Sequence, residues 1–271
     1  MNRRKTMVSL TVTKLRNNIY KFNEDGPDMN VDAFLVIGKK KAVMIDGLMH
    51  AKGFLQEARK LTDLPLEMIV THGHPDHAGN GTKEFIDAGC SVSIIKEDLA
   101  LLSDFHLSYS EDAFCFIKDG DSFDLGDISL KVIALAGHTP GSCILYCPEE
   151  NLLFSSDAFG SGDIWLWLPH STTLSEFRKN LTHILEFIRN HHDMTIYPGH
   201  THQIPDYRGD GEQHIDLAYV EDLMAITTDL IEGRKTGRPV KTPFASIKST
   251  DVHITSGRIM YQYTYAGQKI R

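Results

Sequence analysis

The apolar positions of this chain change period as they advance, and each change marks an element. Residues 7–14 alternate at period two, which predicts a strand, and residues 17–22 repeat the pattern after a tight turn. Asp25-Gly26-Pro27-Asp28 ends it. Two solid apolar runs, 31–37 and 42–45, flank Gly38-Lys39-Lys40-Lys41 and read as a hairpin. A short helical stripe covers 54–61, and 66–70 reads as a buried strand. A helix is expected over 78–88, a strand over 91–95 and a short helix over 97–103. Residues 104–122 are polar with scattered aromatics and read as a loop or variable insertion. Strands follow at 128–135, 142–147 and 152–155. Leu174, Phe177, Leu181, Ile184, Leu185 and Ile188 share one helical face, so 173–190 is a helix. A strand at 194–197, a helix at 213–233 and a tyrosine-rich edge hairpin at 254–265 complete the pattern. Strands alternating with helices predict the α/β class. No linker interrupts the chain, so one domain over 1–271 is expected, with its site loops in 46–202 and the C-terminal helix and hairpin in 210–271.

The polar residues that end the apolar runs carry the chemistry. The 42–45 run ends in Asp46. The 66–70 run ends in Thr71-His72-Gly73-His74-Pro75-Asp76-His77, three imidazoles and a carboxylate within six residues, the ligand types a borderline divalent metal prefers. In an extended chain His72 and His74 face the same way, and Pro75 holds His74 extended. The chain then turns, so Asp76 and His77 face a second ion. The remaining runs exit into Gly137-His138-Thr139-Pro140-Gly141-Ser142, Ser156-Asp157 and Pro198-Gly199-His200. Ligands in α/β sheets bind beyond the carboxyl ends of strands, so strand ends rich in His and Asp build one site. Gly73, Gly137 and Gly199 are expected to permit the tight turns beside it.

Composition narrows the partners. A formal net charge of -8 repels phosphate backbones and disfavours nucleic acid; a small-molecule substrate is expected. No stretch approaches the roughly 18 apolar residues of a membrane span. No apolar run follows the basic residues near Met1, so a cytoplasmic protein without a secretory leader is expected. Cys90, Cys115, Cys143 and Cys147 match neither a disulfide framework nor a zinc spacing and are expected to be buried free thiols. The tyrosines of 254–265 suggest an edge where a second copy pairs as a homodimer.

Together, H-x-H-x-D-H at 72–77, the G-H-T-P-G-S loop at 137–142, Ser156-Asp157, Pro198-Gly199-His200 and the Asp46 strand end resemble the metallo-β-lactamase superfamily of hydrolases, over residues 10–205. The resemblance implies a four-layer αβ/βα sandwich of two mixed β-sheets flanked by helices, with a dinuclear metal site at one edge of the sheets. It implies that His72, His74 and His138 hold one ion, that Asp76, His77 and His200 hold the other, that Asp157 bridges them and that Asp46 supports a ligand histidine. Zn2+ suits this mixed set best, with Fe or Mn as alternatives. Two divalent cations facing two carboxylates and one hydroxide keep a net positive charge, able to polarise a carbonyl oxygen. A bridging hydroxide would attack the carbonyl, and Asp76 would be the catalytic carboxylate that orients it and moves its proton.

Substrate choice is expected in the loop after Asp157. Trp165 and Trp167, both tryptophans of the chain, lie there, and with His170, Tyr207 and Arg208 they are the candidate substrate contacts. Ester or thioester hydrolysis like that of glyoxalase II is the leading expectation, with lactones and β-lactams next. The stretch Thr201-His202-Gln203-Ile204 departs from the Glu-Tyr that glyoxalase II tends to carry after its corresponding histidine. Secreted β-lactamases of the family lack a histidine at the position of His77. A phosphodiesterase or nuclease is disfavoured by the acidic charge. The di-iron redox branch has a glutamate where this chain has His74, and a non-catalytic module would have lost a ligand.

Overall fold

The computed structural model describes residues 8–26, 29–160, 162–168, 170–204, 213–236, 238–241, 246–251 and 258–262. The chain forms two compact units, Met1–Val132 and Ile133–Arg271.

In the first unit a seven-stranded sheet follows the order of the sequence: β1 (Ser9–Arg16), β2 (Ile19–Asp25), β3 (Asn30–Ile37), β4 (Ala42–Ile45), β5 (Leu66–Ile69), β6 (Val92–Ile95) and β7 (Cys115–Ile117). The first four strands are an antiparallel meander; β4, β5, β6 and β7 are parallel. The change of sense follows from the connections, since tight turns join the meander and helices make the parallel crossovers. These helices are α1 (Phe54–Arg59), α2 (Pro75–Ala78), α3 (Asn80–Asp87) and α4 (Leu99–Asp104). The core gathers Phe22, Leu35, Met44, Phe54, Met68 and Phe85. The helix expected over 78–88 starts earlier and breaks at Gly79. Pro75 is pre-set for a first helical turn, which brings Asp76 and His77 onto α2.

Two short strands, β7 and β8 (Ser122–Asp124), occupy the stretch read as irregular over 104–122 and beyond it. Three residues show too little alternation to be read as a strand. β8 pairs antiparallel with β9 (Ser129–Ala134), within which the chain passes into the second unit.

The second unit carries β10 (Cys143–Cys147), β11 (Leu152–Ser156) and β13 (Thr195–Pro198), in a five-stranded sheet of order β13-β11-β10-β9-β8. Helices α5 (Leu174–Arg189) and α6 (Leu217–Ile231) cover a core that includes Phe159, Phe177, Leu181, Ile184, Tyr219 and Leu223. α5 opens with a reciprocal capping box between Thr173 and Glu176. A further sheet has the order β12-β16-β15-β14, with β12 (Asp163–Leu166), β14 (Arg238–Lys241), β15 (Ser246–Asp251) and β16 (Arg258–Gln262). The loop expected after Asp157 therefore contains a strand, β12, held by parallel pairing with β16. Of the edge hairpin expected over 254–265, only 258–262 lie among the described residues, as β16. β15 and β16 pair antiparallel, but β16 lies between β15 and β12, and residues 252–257 and 263–265 fall outside the described residues.

Cys143 and Cys147 are buried as expected, whereas Cys115 is exposed on the short edge strand β7. No described helix is long and apolar enough to cross a membrane.

Candidate metal centre

In the first unit the parallel strands β4 and β5 release Asp46 and the His72–His77 stretch from the same end, where the Asp46 amide donates to the Ile69 carbonyl at 2.9 Å. Asp46 is buried with φ 68, a left-handed conformation that non-glycine residues hold only where surrounding contacts fix it. The contacts are visible. The Thr71 amide donates to its Oδ1 at 2.8 Å, and the Thr71 hydroxyl lies 2.9 Å from both carboxylate oxygens. Nδ1 of His77 lies 2.8 Å from Oδ2. A carboxylate accepts, so His77 carries its proton on Nδ1 and keeps the Nε2 lone pair for a ligand. Thr71 Oγ1, its hydrogen given to Asp46, accepts from Nδ1 of His72 at 3.2 Å and selects the same tautomer there.

The three imidazoles crowd together, with centroids 4.9 Å apart for His72–His74 and 4.3 Å for His72–His77. His74 is extended, φ -75 and ψ 151, as the following proline requires. Asp76 Oδ2 lies 3.6 Å from His77 Nε2. The glycine of the motif is required by space rather than by a left-handed turn. Gly73 has no positive φ, but a Cβ there would sit 2.8 Å from the Asp98 carbonyl oxygen.

In the second unit β11 and β13 are parallel, so Asp157 and His200 leave the sheet at one end. His200 Nε2 lies 3.2 Å, and His138 Nε2 3.8 Å, from Asp157 Oδ2. The residue before the carboxylate, Ser156, has φ 46, and its carbonyl accepts from the Gly199 amide at 3.0 Å. His138 Nδ1 lies 2.8 Å from the Trp165 carbonyl oxygen. A carbonyl only accepts, so Nδ1 of His138 donates and Nε2 is the ring nitrogen turned to Asp157. Gly137 is needed for closeness, since a Cβ would lie 2.6 Å from the Phe177 ring. Ser142 has a structural role, its hydroxyl accepting from the Thr139 amide at 3.1 Å.

The donor set of each unit fits a divalent cation. Two ligands on a tetrahedral ion with bonds of about 2.1 Å stand about 3.4 Å apart. The three imidazole–carboxylate separations of 3.2, 3.6 and 3.8 Å bracket that value. A metal-binding imidazole uses one ring nitrogen for the ion and donates from the other, and Nδ1 of His77 and of His138 is so engaged.

The candidate substrate residues are placed less closely. Trp165 and Trp167 are half-buried and stacked, 5.7 Å between centroids at 30°. His170 is exposed with φ 69. Tyr207 and Arg208 lie outside the described residues. Sequence reasoning missed Thr71, Asp98, Phe105, Tyr109 and the Trp165 carbonyl. Phe105 packs edge-on against His74 at 5.2 Å, and the Tyr109 hydroxyl lies 2.8 Å from the carbonyls of Ala78 and Gly79, at the α2–α3 break. Only Thr71, adjoining the motif, carried a signal.

The profile of the metallo-beta-lactamase superfamily matches residues 26–200. The chain is 27% identical over 270 residues to the acyl-coenzyme A thioesterase MBLAC2 of Gallus gallus, covering 88% of this chain and 91% of that protein. It is 28% identical over 181 residues to a hydroxyacylglutathione hydrolase of Erythrobacter litoralis, covering 64% and 65%. The metallo-beta-lactamase of Pontibacter korlensis has a similar structure, with a TM-score of 0.61 at 17% identity over 82% of this chain and all of that one. The expected metallo-β-lactamase fold, of mixed β-sheets flanked by helices, is thereby borne out, and the superfamily implies a divalent metal. This chain, an enzyme of the hydrolase class, belongs to the metallo-β-lactamase superfamily.

Proposed function

We propose that the chain is a dinuclear metal-dependent thioesterase acting on a small acyl thioester. The observation that carries this reading is the likeness, over 88% of the chain, to an acyl-coenzyme A thioesterase, with a glutathione thioester hydrolase as a second relative. His72, His74 and His138 would hold one zinc ion, and Asp76, His77 and His200 the other, with Asp157 serving both. The reading takes the chain as one catalytic domain, in a cytoplasmic protein that pairs as a homodimer and binds neither nucleic acid nor membrane.

Divalent ions held by these groups supply Lewis acidity and a water acidic enough to ionise near neutral pH. The remaining work falls to the chain. Asp46 and the Trp165 carbonyl hold the His77 and His138 rings in orientation through Nδ1. Asp76 takes the proton of the attacking water and returns it to the leaving group. A thiolate, with a parent pKa of about 8.5, departs with less help than an alkoxide or amine, so one carboxylate suffices. The stacked pair Trp165 and Trp167 is assigned to the acyl side of the substrate, and His170, with Tyr207 and Arg208 from outside the described residues, to its polar part.

A panel of an acyl-coenzyme A, a hydroxyacylglutathione, a lactone, a β-lactam and a phosphodiester tests the substrate. The thioesters are expected to give the highest kcat/KM, and a faster lactone or β-lactam would overturn the assignment. Elemental analysis is expected to return two zinc ions per chain; one ion, or iron, would overturn the metal assignment.

A further inference from the structure

Asp98 is a charged residue whose side chain is fully buried, and it lies outside every motif of the sequence. It occupies the N-cap position of α4, where a carboxylate ordinarily accepts from the amides of its own helix; its side chain makes no such bond. Instead Oδ2 accepts from the Gly73 amide at 2.7 Å. Gly73 is the residue between His72 and His74. The backbone of Asp98 closes on the same point, where its carbonyl oxygen leaves no room for a Cβ on Gly73. About two helical turns further on, at the other end of α4, the same segment lays the Phe105 ring edge-on against His74. The start and the end of α4 therefore both press on the two-histidine stretch.

We infer that Asp98 is a positioning residue for the metal held by His72 and His74. Its carboxylate fixes the peptide between the two ligands, so that both Nε2 atoms aim at one point before any ion arrives. The capping bond forgone at α4 shows where that carboxylate is used. The inference rests on the ligand assignment proposed above. A charged acceptor serves best, because a charge-assisted bond to a buried amide is shorter and stronger than a neutral one. An outer partner of this kind typically changes metal affinity 10- to 100-fold.

The test is zinc affinity, measured by competition with a chromophoric chelator, with the Tm of the metal-free protein recorded alongside. Asp98→Ala is expected to weaken binding by about 10- to 100-fold. Asp98→Asn keeps an acceptor oxygen at the same reach and is expected to recover most of that loss. Glu24→Gln is the control, altering an equally buried carboxylate that accepts from the amides of His50 and Ala51 in the same unit. It is expected to lower Tm without changing zinc affinity. If Asp98→Ala does not fold, Gly73→Ala carries the test and is expected to weaken zinc binding through its collision with the Asp98 carbonyl. His74→Ala runs in parallel. Loss of affinity in His74→Ala with parental affinity in Asp98→Ala, or in Gly73→Ala where that stands in for it, would overturn the positioning role alone. Parental affinity in His74→Ala would overturn the ligand assignment, and the positioning role with it. An Asp98→Ala loss no greater than that of Glu24→Gln would reduce the effect to general stability and also overturn it.

Discussion

The two units supply metal donors in different ways. The first draws His72, His74, Asp76 and His77 from one stretch of six residues, and it orients them with side chains: the carboxylate of Asp46, the hydroxyl of Thr71 and the carboxylate of Asp98. The second draws His138, Asp157 and His200 from three strand ends, and it orients His138 with a main-chain carbonyl. The first half is a local motif whose geometry follows from chain directions over a few residues. The second exists only when β11 and β13 are paired in register, with Ser156 opposite Pro198. Substitution therefore reaches the support of the first half easily, whereas the support of the second answers mainly to changes in its ligands or its sheet.

The largest expected effect is at the carboxylate of the second half. Among the described residues Asp157 lies close to both ligand histidines of that unit, His138 and His200, so Asp157→Ala removes the negative charge that balances the cations these side chains would hold. The variant is expected to lose more than the ~100-fold in kcat/KM that an outer partner costs, together with most bound metal. Elemental analysis and steady-state kinetics read this, and parental metal content would show that the second half does not depend on its carboxylate.

Next comes the contrast between the two supports. Asp46→Ala strips acceptors from the Thr71 amide, the Thr71 hydroxyl and the His77 ring, all buried, and puts alanine at a positive φ. A cost of about 3 kcal/mol is expected, a fall in Tm of about 6–12 °C. Zinc affinity should also drop by about 10- to 100-fold. Trp165→Ala leaves the carbonyl that orients His138 in place. It should keep zinc affinity within about threefold while raising KM for the acyl substrate, since the stacked pair is lost. Equal zinc loss in both variants would erase the distinction between side-chain and main-chain support.

The same contrast explains what the sequence disclosed. The motif 72–77 was legible because ligand types, proline and glycine stand together, and the strand-end histidines and aspartates were legible because each terminates an apolar run. The supports were not. Asp98 stands 25 residues beyond the peptide it holds, with no pattern joining them, and a main-chain carbonyl such as that of Trp165 has no letter of its own. The strands β7, β8 and β12 escaped because three or four residues carry too little periodicity and their pairing is set by tertiary context. The glycines were found for an incomplete reason, since Gly73 and Gly137 answer to crowding rather than to turn dihedrals.

The smallest effect separates the units by pH. Burial, helped by the Asp87 charge, pushes the Tyr109 phenol in the first unit from 10.0 up to about 12. Burial, helped by Glu149 and Glu150, pushes the Cys147 thiol in the second from 9.0 up to about 12. For both groups the raised folded value means that the unfolded chain gives up its proton first. Their contributions are therefore fully present below the unfolded pKa and drain away as pH rises towards 12, from about pH 9 for Cys147 and from about pH 10 for Tyr109. Tyr109→Phe loses the hydroxyl that reaches the Ala78 and Gly79 carbonyls, which costs about 1 kcal/mol at pH 8. Above pH 10 it has no phenol to ionise, so its urea midpoint should fall less steeply than the parent's. Cys147→Val should flatten the curve from pH 9 instead. Urea titrations of the metal-free protein at pH 8, 9.5 and 11 distinguish the two, because at 9.5 only the cysteine has begun to act. A Tyr109→Phe variant that declines as steeply as the parent between pH 9.5 and 11 would show that the phenol does not hold the break between α2 and α3.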